Sequence, residues 1–175
     1  MEEFFFRAML KDSWAAGNKR KMNLVAPGVA IPDGFVGHYY QEGNGRASLI
    51  LIDAWQSGTN NAFFGYTTIW QGGIDLPPVW VMQYYGFMEK QVEALVRKSL
   101  MMAYSQGHFL NGRGIDGLRG MEFTSYHNKN ILDCSIAHDF SQFAGIESIV
   151  KVNPEDGGKT STHSFLMIQG GLLSS

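Results

Sequence analysis

Apolar and polar positions follow two rhythms along this chain. Phe6, Met9, Leu10 and Trp14 recur at helical spacing, and Gly17-Asn18 supplies a stop, so residues 2–16 predict a helix. Glu2 and Glu3 sit where the helix dipole favours negative charge. Residues 17–38 carry Gly and Pro with little periodicity and read as a long loop with at most one short strand. From Tyr39 the rhythm changes to period two and short apolar runs, which predict strands over 47–56, 63–71 and 78–85. Ser57 to Asn61 and Gly72 to Pro78 form the turns between them. A second apolar stripe, Val92, Leu95, Val96, Leu100 and Met102, predicts a helix over 87–106, with Glu93 and Arg97 as an i,i+4 pair and Gly107 at its end. Further strands are expected at 120–127, 130–137, 145–153 and 162–169, with Asn128-Lys129-Asn130 as a tight turn.

The pattern occurs twice. Leu51-Ile52-Asp53, Phe63-Phe64-Gly65 and Ile69 are matched 80 positions on by Ile131-Leu132-Asp133, Phe143-Ala144-Gly145 and Ile149. Trp80-Val81-Met82 before Gly86 is answered by Phe165-Leu166-Met167 before Gly171. Two units of about 2–86 and 87–171, each a helix followed by strands, predict an α+β fold within a single domain, 1–175. The expected architecture is a two-layer sandwich: an antiparallel sheet of six to eight strands with two helices packed on one face.

Composition narrows the function classes. With 45% hydrophobic and only 17% charged residues, the chain is a folded globule and not a disordered one. A net charge of −2 gives no electrostatic footprint for nucleic acid, and Lys19-Arg20-Lys21 is too short to change that. The single Cys134 excludes an internal disulfide and a cysteine-rich zinc site. No run approaches the ~18 apolar residues of a membrane span, and acids stand where a signal peptide needs bases. A soluble, cytoplasmic protein is expected, with no membrane association.

Several strings resemble a known family. Pro78-Val79-Trp80-Val81-Met82-Gln83-Tyr84-Tyr85-Gly86 resembles the most distinctive segment of the bacterial domain-of-unknown-function family 5680. Phe6-Arg7-Ala8 with Trp14-Ala15-Ala16-Gly17 is similar to its opening helix, and Tyr40-Gln41-Glu42-Gly43 to its entry into the sheet. The stretch from Asp53 to Gly58 resembles its aspartate-to-glycine turn, and Phe143-Ala144-Gly145-Ile146-Glu147 its late F-x-G-x-E. The chain departs from the family pattern at Thr67, where Glu is expected, and over residues 23–37, which lack a Ser-Arg-Pro-Gly type of string. The resemblance implies no known activity. It does imply association with helix-turn-helix regulators, although this chain carries no such DNA-binding pattern.

Among residues that could carry chemistry, Asp53 and Asp133 lead, because each carboxylate falls on an otherwise apolar strand face. Brought together they could share a proton or hold a cation; placed at strand ends they could simply accept backbone donors. Glu147 and Glu122 are the other acids of the second strand group. The histidines, His38, His108, His127, His138 and His163, show no metal-ligand spacing, so no metal or cofactor is expected. Cys134 lies beside Asp133 among apolar neighbours and reads as a core thiol. Trp80, Tyr84 and Tyr85 could wall a pocket for a small ligand, the tyrosines because a buried hydroxyl needs a partner. The ligand-binding candidates are therefore Asp53, Asp133, Trp80, Tyr84, Tyr85 and Glu147. Three functions stand in order: a small-molecule or partner-sensing module linked to bacterial regulation, a small enzyme using a carboxylate pair, and a homodimeric interaction domain without a ligand.

Overall fold

Alternation of side chains across strands, set by the pairing register, decides which residues of this chain meet. A computed structural model describes residues 1–17, 32–109, 121–127, 140–152 and 159–173. The expected strand over 130–137, and with it Asp133 and Cys134, lies outside the described residues. So do Lys19-Arg20-Lys21, the Asn128-Lys129-Asn130 turn, and His138.

The chain begins with α1 (Glu2–Lys11), shorter than the expected 2–16. The Ser13 hydroxyl donates to the Met9 carbonyl at 2.6 Å and accepts from the Ala16 amide at 3.2 Å. This side chain supplies partners that a further helical turn would have used, so the helix stops early. Four strands follow: β1 (Val36–Glu42), β2 (Leu49–Ser57), β3 (Ala62–Gln71) and β4 (Trp80–Met88). β1 starts inside the stretch read as loop, because Phe35-Val36-Gly37-His38 carries no clean alternation. The helix expected from residue 87 starts later, as β4 runs on to Met88 and a 3-10 turn, Lys90–Val92, precedes α2 (Glu93–Ser105). Then come β5 (Met121–His127), β6 (Gln142–Val152) and β7 (Lys159–Leu172). The seven strands of the described residues join one antiparallel sheet in the order β1-β2-β3-β4-β7-β6-β5, an α+β arrangement.

Between β2 and β3 the chain turns through Asn60 and Asn61, both at positive φ, with the Gly58 amide donating to the Ala62 carbonyl at 2.8 Å. Asn tolerates this left-handed conformation better than other side chains.

One face of the sheet carries Leu51, Ile69, Trp80, Met82 and Ile168, which share a buried cluster with Phe4, Phe5 and Met9 of α1 and Tyr104 of α2. Trp80 is its centre: its ring stacks on Phe140 at 4.5 Å, and its Nε1–H donates to the Phe140 carbonyl at 2.7 Å. On the other face Ile50, Ile52 and Ala54 pack with Phe35, Tyr39, Tyr66 and Trp70. Phe64 and Tyr85 on that face are about half exposed, at 48% and 52%.

Candidate functional site

Register alone places one polar row on the face that carries Leu51 and Trp80. His38 on β1 stands opposite Asp53 on β2, Asp53 opposite Thr67 on β3, and Thr67 opposite Met82 on β4. Asp53 is 4% exposed. Its Oδ1 accepts two hydrogen bonds, from Thr67 Oγ1 at 2.8 Å and from the Tyr84 hydroxyl at 2.8 Å. Both bonds converge on one oxygen, which leaves Oδ2 as the atom open to a further partner.

Tyr84 reaches Asp53 from two strands away because Gly65 lies between them. Tyr84 pairs with Gly65 across β3–β4, and a Cβ on Gly65 would lie 2.6 Å from the Tyr84 ring. Only a residue without a side chain lets the ring lie flat across β3.

Burial pushes the Asp53 carboxyl above the usual carboxylate range, an effect partly offset by the hydrogen bonds from Tyr84 and Thr67 and by nearby His38. The Tyr84 hydroxyl is driven well above its ordinary value, first by burial and then by the Asp53 charge. The two groups therefore act as a unit in which Tyr84 stays a donor. His38 is itself buried: its Nδ1 lies 3.1 Å from Asp12 Oδ1, and its ring stacks on Trp55 at 5.2 Å. With Asp12 as acceptor, the proton belongs on Nδ1, and Nε2 is buried without a hydrogen-bond partner.

Asp53 and Tyr84 open onto a cavity of about 430 Å3. Its walls come from Met82, Leu166 and Ile168 of the sheet, Val96 and Leu100 of α2, and Trp14 beyond α1. Arg97 fastens this wall. Its Nη1–H donates to the Trp14 carbonyl, its guanidinium lies 4.0 Å from the Trp14 ring centre, and Nε and Nη2 donate to Glu93 at 3.0 and 2.8 Å. Lys90, Glu93 and the buried Glu147 also border the cavity.

The candidates named from sequence divide accordingly. Asp53, Tyr84 and Glu147 border the cavity. Trp80 does not: it is fully buried in the aromatic core, with its indole N–H satisfied there. Tyr85 points to the opposite face, where its hydroxyl meets the Met167 sulfur, because neighbours on a strand face opposite ways. Asp133 lies outside the described residues. Glu147 stands opposite Ser125 of β5. Sequence reasoning missed the Asp12–His38 contact and the part played by Thr67. Thr67 had a faint signal, as the polar residue at the centre of an aromatic strand; Asp12–His38 had none, since it depends on the early end of α1.

Among the described residues no group of three or more His, Cys, Asp or Glu is placed to hold a metal. No described helix is long and apolar enough to cross a membrane. Searches of family models, curated proteins and solved structures found no match to this chain.

Proposed function

We propose that this chain is a small-molecule-binding module whose ligand occupies the cavity over Asp53 and Tyr84. The observation that carries this reading is the combination of a mostly apolar cavity of about 430 Å3 with a buried, hydrogen-bonded carboxyl on its wall. Small-molecule sites are typically ~300–1,000 Å3, apolar, and fitted with a few placed polar groups. On this reading α1 and α2 lie on the same face and the cavity is the space between them and the sheet. The regulatory link expected from the resemblance would make the module a sensor.

A duplication of β3–β4 and β6–β7 is offset by one residue from the sequence match: Phe63 pairs with Gly86 as Phe143 pairs with Gly170, and Thr67 with Met82 as Glu147 with Leu166, where the sequence sets Gly171 against Gly86 and Met167 against Met82. The pseudo-twofold axis then passes between Tyr84 and Ile168, which stand opposite each other across β4–β7. A cavity centred over that axis draws one polar end from each half.

The carboxylate-pair enzyme is less well supported. Asp53 on β2 and Glu147 on β6 are four strand spacings apart in the sheet order. At ~4.8 Å per strand that is roughly 19 Å along the sheet, beyond the ~5–10 Å over which two carboxyls work on one bond.

A fragment screen by ligand-observed NMR tests the proposal, with Leu166→Trp as a variant that fills the cavity. Binders to the wild type that are lost in the folded Leu166→Trp protein support it. Binders that are indifferent to the plug, or a screen with none, count against it.

A further inference from the structure

Resting on the binding reading above, we infer that the cavity selects organic cations: an amine whose ammonium pairs with Asp53 and whose apolar body lies along the methionine and aromatic walls. Asp53 is a buried acid held by two neutral hydroxyls, and among the described residues no Lys or Arg forms an ion pair with it. A buried carboxylate is costly unless paired. The hydrogen bonds fall on Oδ1, so an ammonium N–H would donate to Oδ2 without displacing either.

The rest of the lining points the same way. Its charged side chains are Asp53, Glu93 and Glu147 against Lys90 alone, and Glu93 is already matched by Arg97. An anionic ligand would be driven off by Asp53. A neutral one would leave an ionised Asp53 without a counter-charge. The walls hold Met9, Met82, Met88, Trp14, Trp55 and Phe63. Aromatic faces and thioether sulfurs are polarisable surfaces, and the faces attract cations directly. Trp14 already carries the Arg97 guanidinium in this way.

One competing chemistry predicts the opposite pH response. If Asp53 binds in its protonated form, it donates a hydrogen bond to a neutral acceptor, and acid strengthens binding. A cation needs the ionised form, so acid weakens it. The other titratable groups facing Asp53 are His38 on β1, with Asp12 behind it, and Tyr84 on β4, with Tyr104 of α2 beyond. The pH arm is repeated in Asp53→Asn to isolate the aspartate.

The experiment titrates the full chain with three matched probes, 4-phenylbutylamine, 4-phenylbutanol and 4-phenylbutyrate, by NMR at about pH 7.5 and about pH 5. The amine is expected to bind, to weaken roughly 30-fold or more in Asp53→Asn, and to weaken in acid only when Asp53 is present. Equal or tighter binding of the alcohol or the acid, or an amine affinity unchanged in Asp53→Asn, overturns the cation assignment while leaving the cavity a binding site. Amine affinity that rises in acid overturns it too. If no probe binds and the broader screen is also insensitive to Leu166→Trp, the binding reading fails and the inference with it. Should Asp53→Asn not fold, the three probes on the wild-type chain decide: the amine must bind more tightly than the alcohol and the acid, and equal or weaker amine binding overturns the assignment.

Discussion

Replacing Asp53 by Asn tests whether this carboxyl is held for a partner or for the fold. The amide keeps an oxygen where Oδ1 accepts from Thr67 and Tyr84, so the two 2.8 Å bonds are retained. What disappears is the ionisable group, whose pKa burial raises in the folded state. The sign follows from linkage. Below the unfolded-state value, about 4, the acid is protonated in both states and contributes nothing. As pH rises through that value, only the unfolded chain ionises readily, so the folded state loses stability until pH passes the raised folded value. Asp53→Asn removes that loss. The expected gain is about 1–2 kcal/mol at neutral pH, the usual scale for relieving a strained functional position. For a chain of 175 residues each kcal/mol moves Tm by roughly 2–4 °C. The assay is urea or thermal unfolding of both proteins across acid to neutral pH, reading their difference so that other groups cancel. The gap must close as pH falls towards about 4. A variant less stable than wild type by more than about 2 kcal/mol at neutral pH, with no pH dependence in the gap, would refute the argument. It would show that an ionised Asp53 is a structural anchor.

Three further outcomes follow from the geometry. Trp80→Ala should cost about 3–5 kcal/mol by urea unfolding, because it removes a fully buried indole, its stack on Phe140 and its bond to the Phe140 carbonyl. Gly65→Ala places a methyl 2.6 Å from both the Tyr84 ring and the Ala54 carbonyl, so about 1–3 kcal/mol is expected, with altered Tyr84 ring resonances as the bond to Asp53 breaks. Glu42 accepts from Arg7 and Tyr40, which hold its carboxyl down at about 2. Its contribution to stability is present above the ordinary carboxylate range and fades as pH falls towards that value; carbon-detected NMR should find the Glu42 midpoint raised in Arg7→Gln.

What was legible in the sequence follows what physics makes local. Strand alternation in Leu49–Ser57 and Ala62–Gln71 is a property of neighbouring residues, and both strands fall close to where the pattern places them. Asp53 was visible because a charge on an apolar face stands out. Tyr84 was visible as an aromatic needing a hydrogen-bond partner, although its neighbour Tyr85 carried the same signal and only the register separates them. The early end of α1 was not legible, since it depends on Ser13 bonding back to the Met9 carbonyl. Nor was the role of Gly65, which depends on a ring from the next strand lying over it.

The duplicated reading also bears on why the site is one-sided. If β3–β4 and β7–β6 are equivalent, Tyr84 of one half corresponds to Ile168 of the other, and these two residues face each other on the axis. On that equivalence Glu147 would hold the position of Thr67, and Ser125, rather than the Asp133 of the sequence match, that of Asp53. Each half would then have one acid in this four-residue set, but on exchanged strands: Asp53 receives a hydroxyl from β3, whereas in the second half the acid itself would sit on the corresponding strand. Gly65 and Gly145 would occupy the same place in both halves, yet Gly65 pairs with Tyr84 and Gly145 with Ile168. The tyrosine bridge, and with it the anchored carboxyl, would then belong to one half alone. A ligand bound across the axis would meet an acid at each end, Asp53 and Glu147, with the tyrosine at the Asp53 end only.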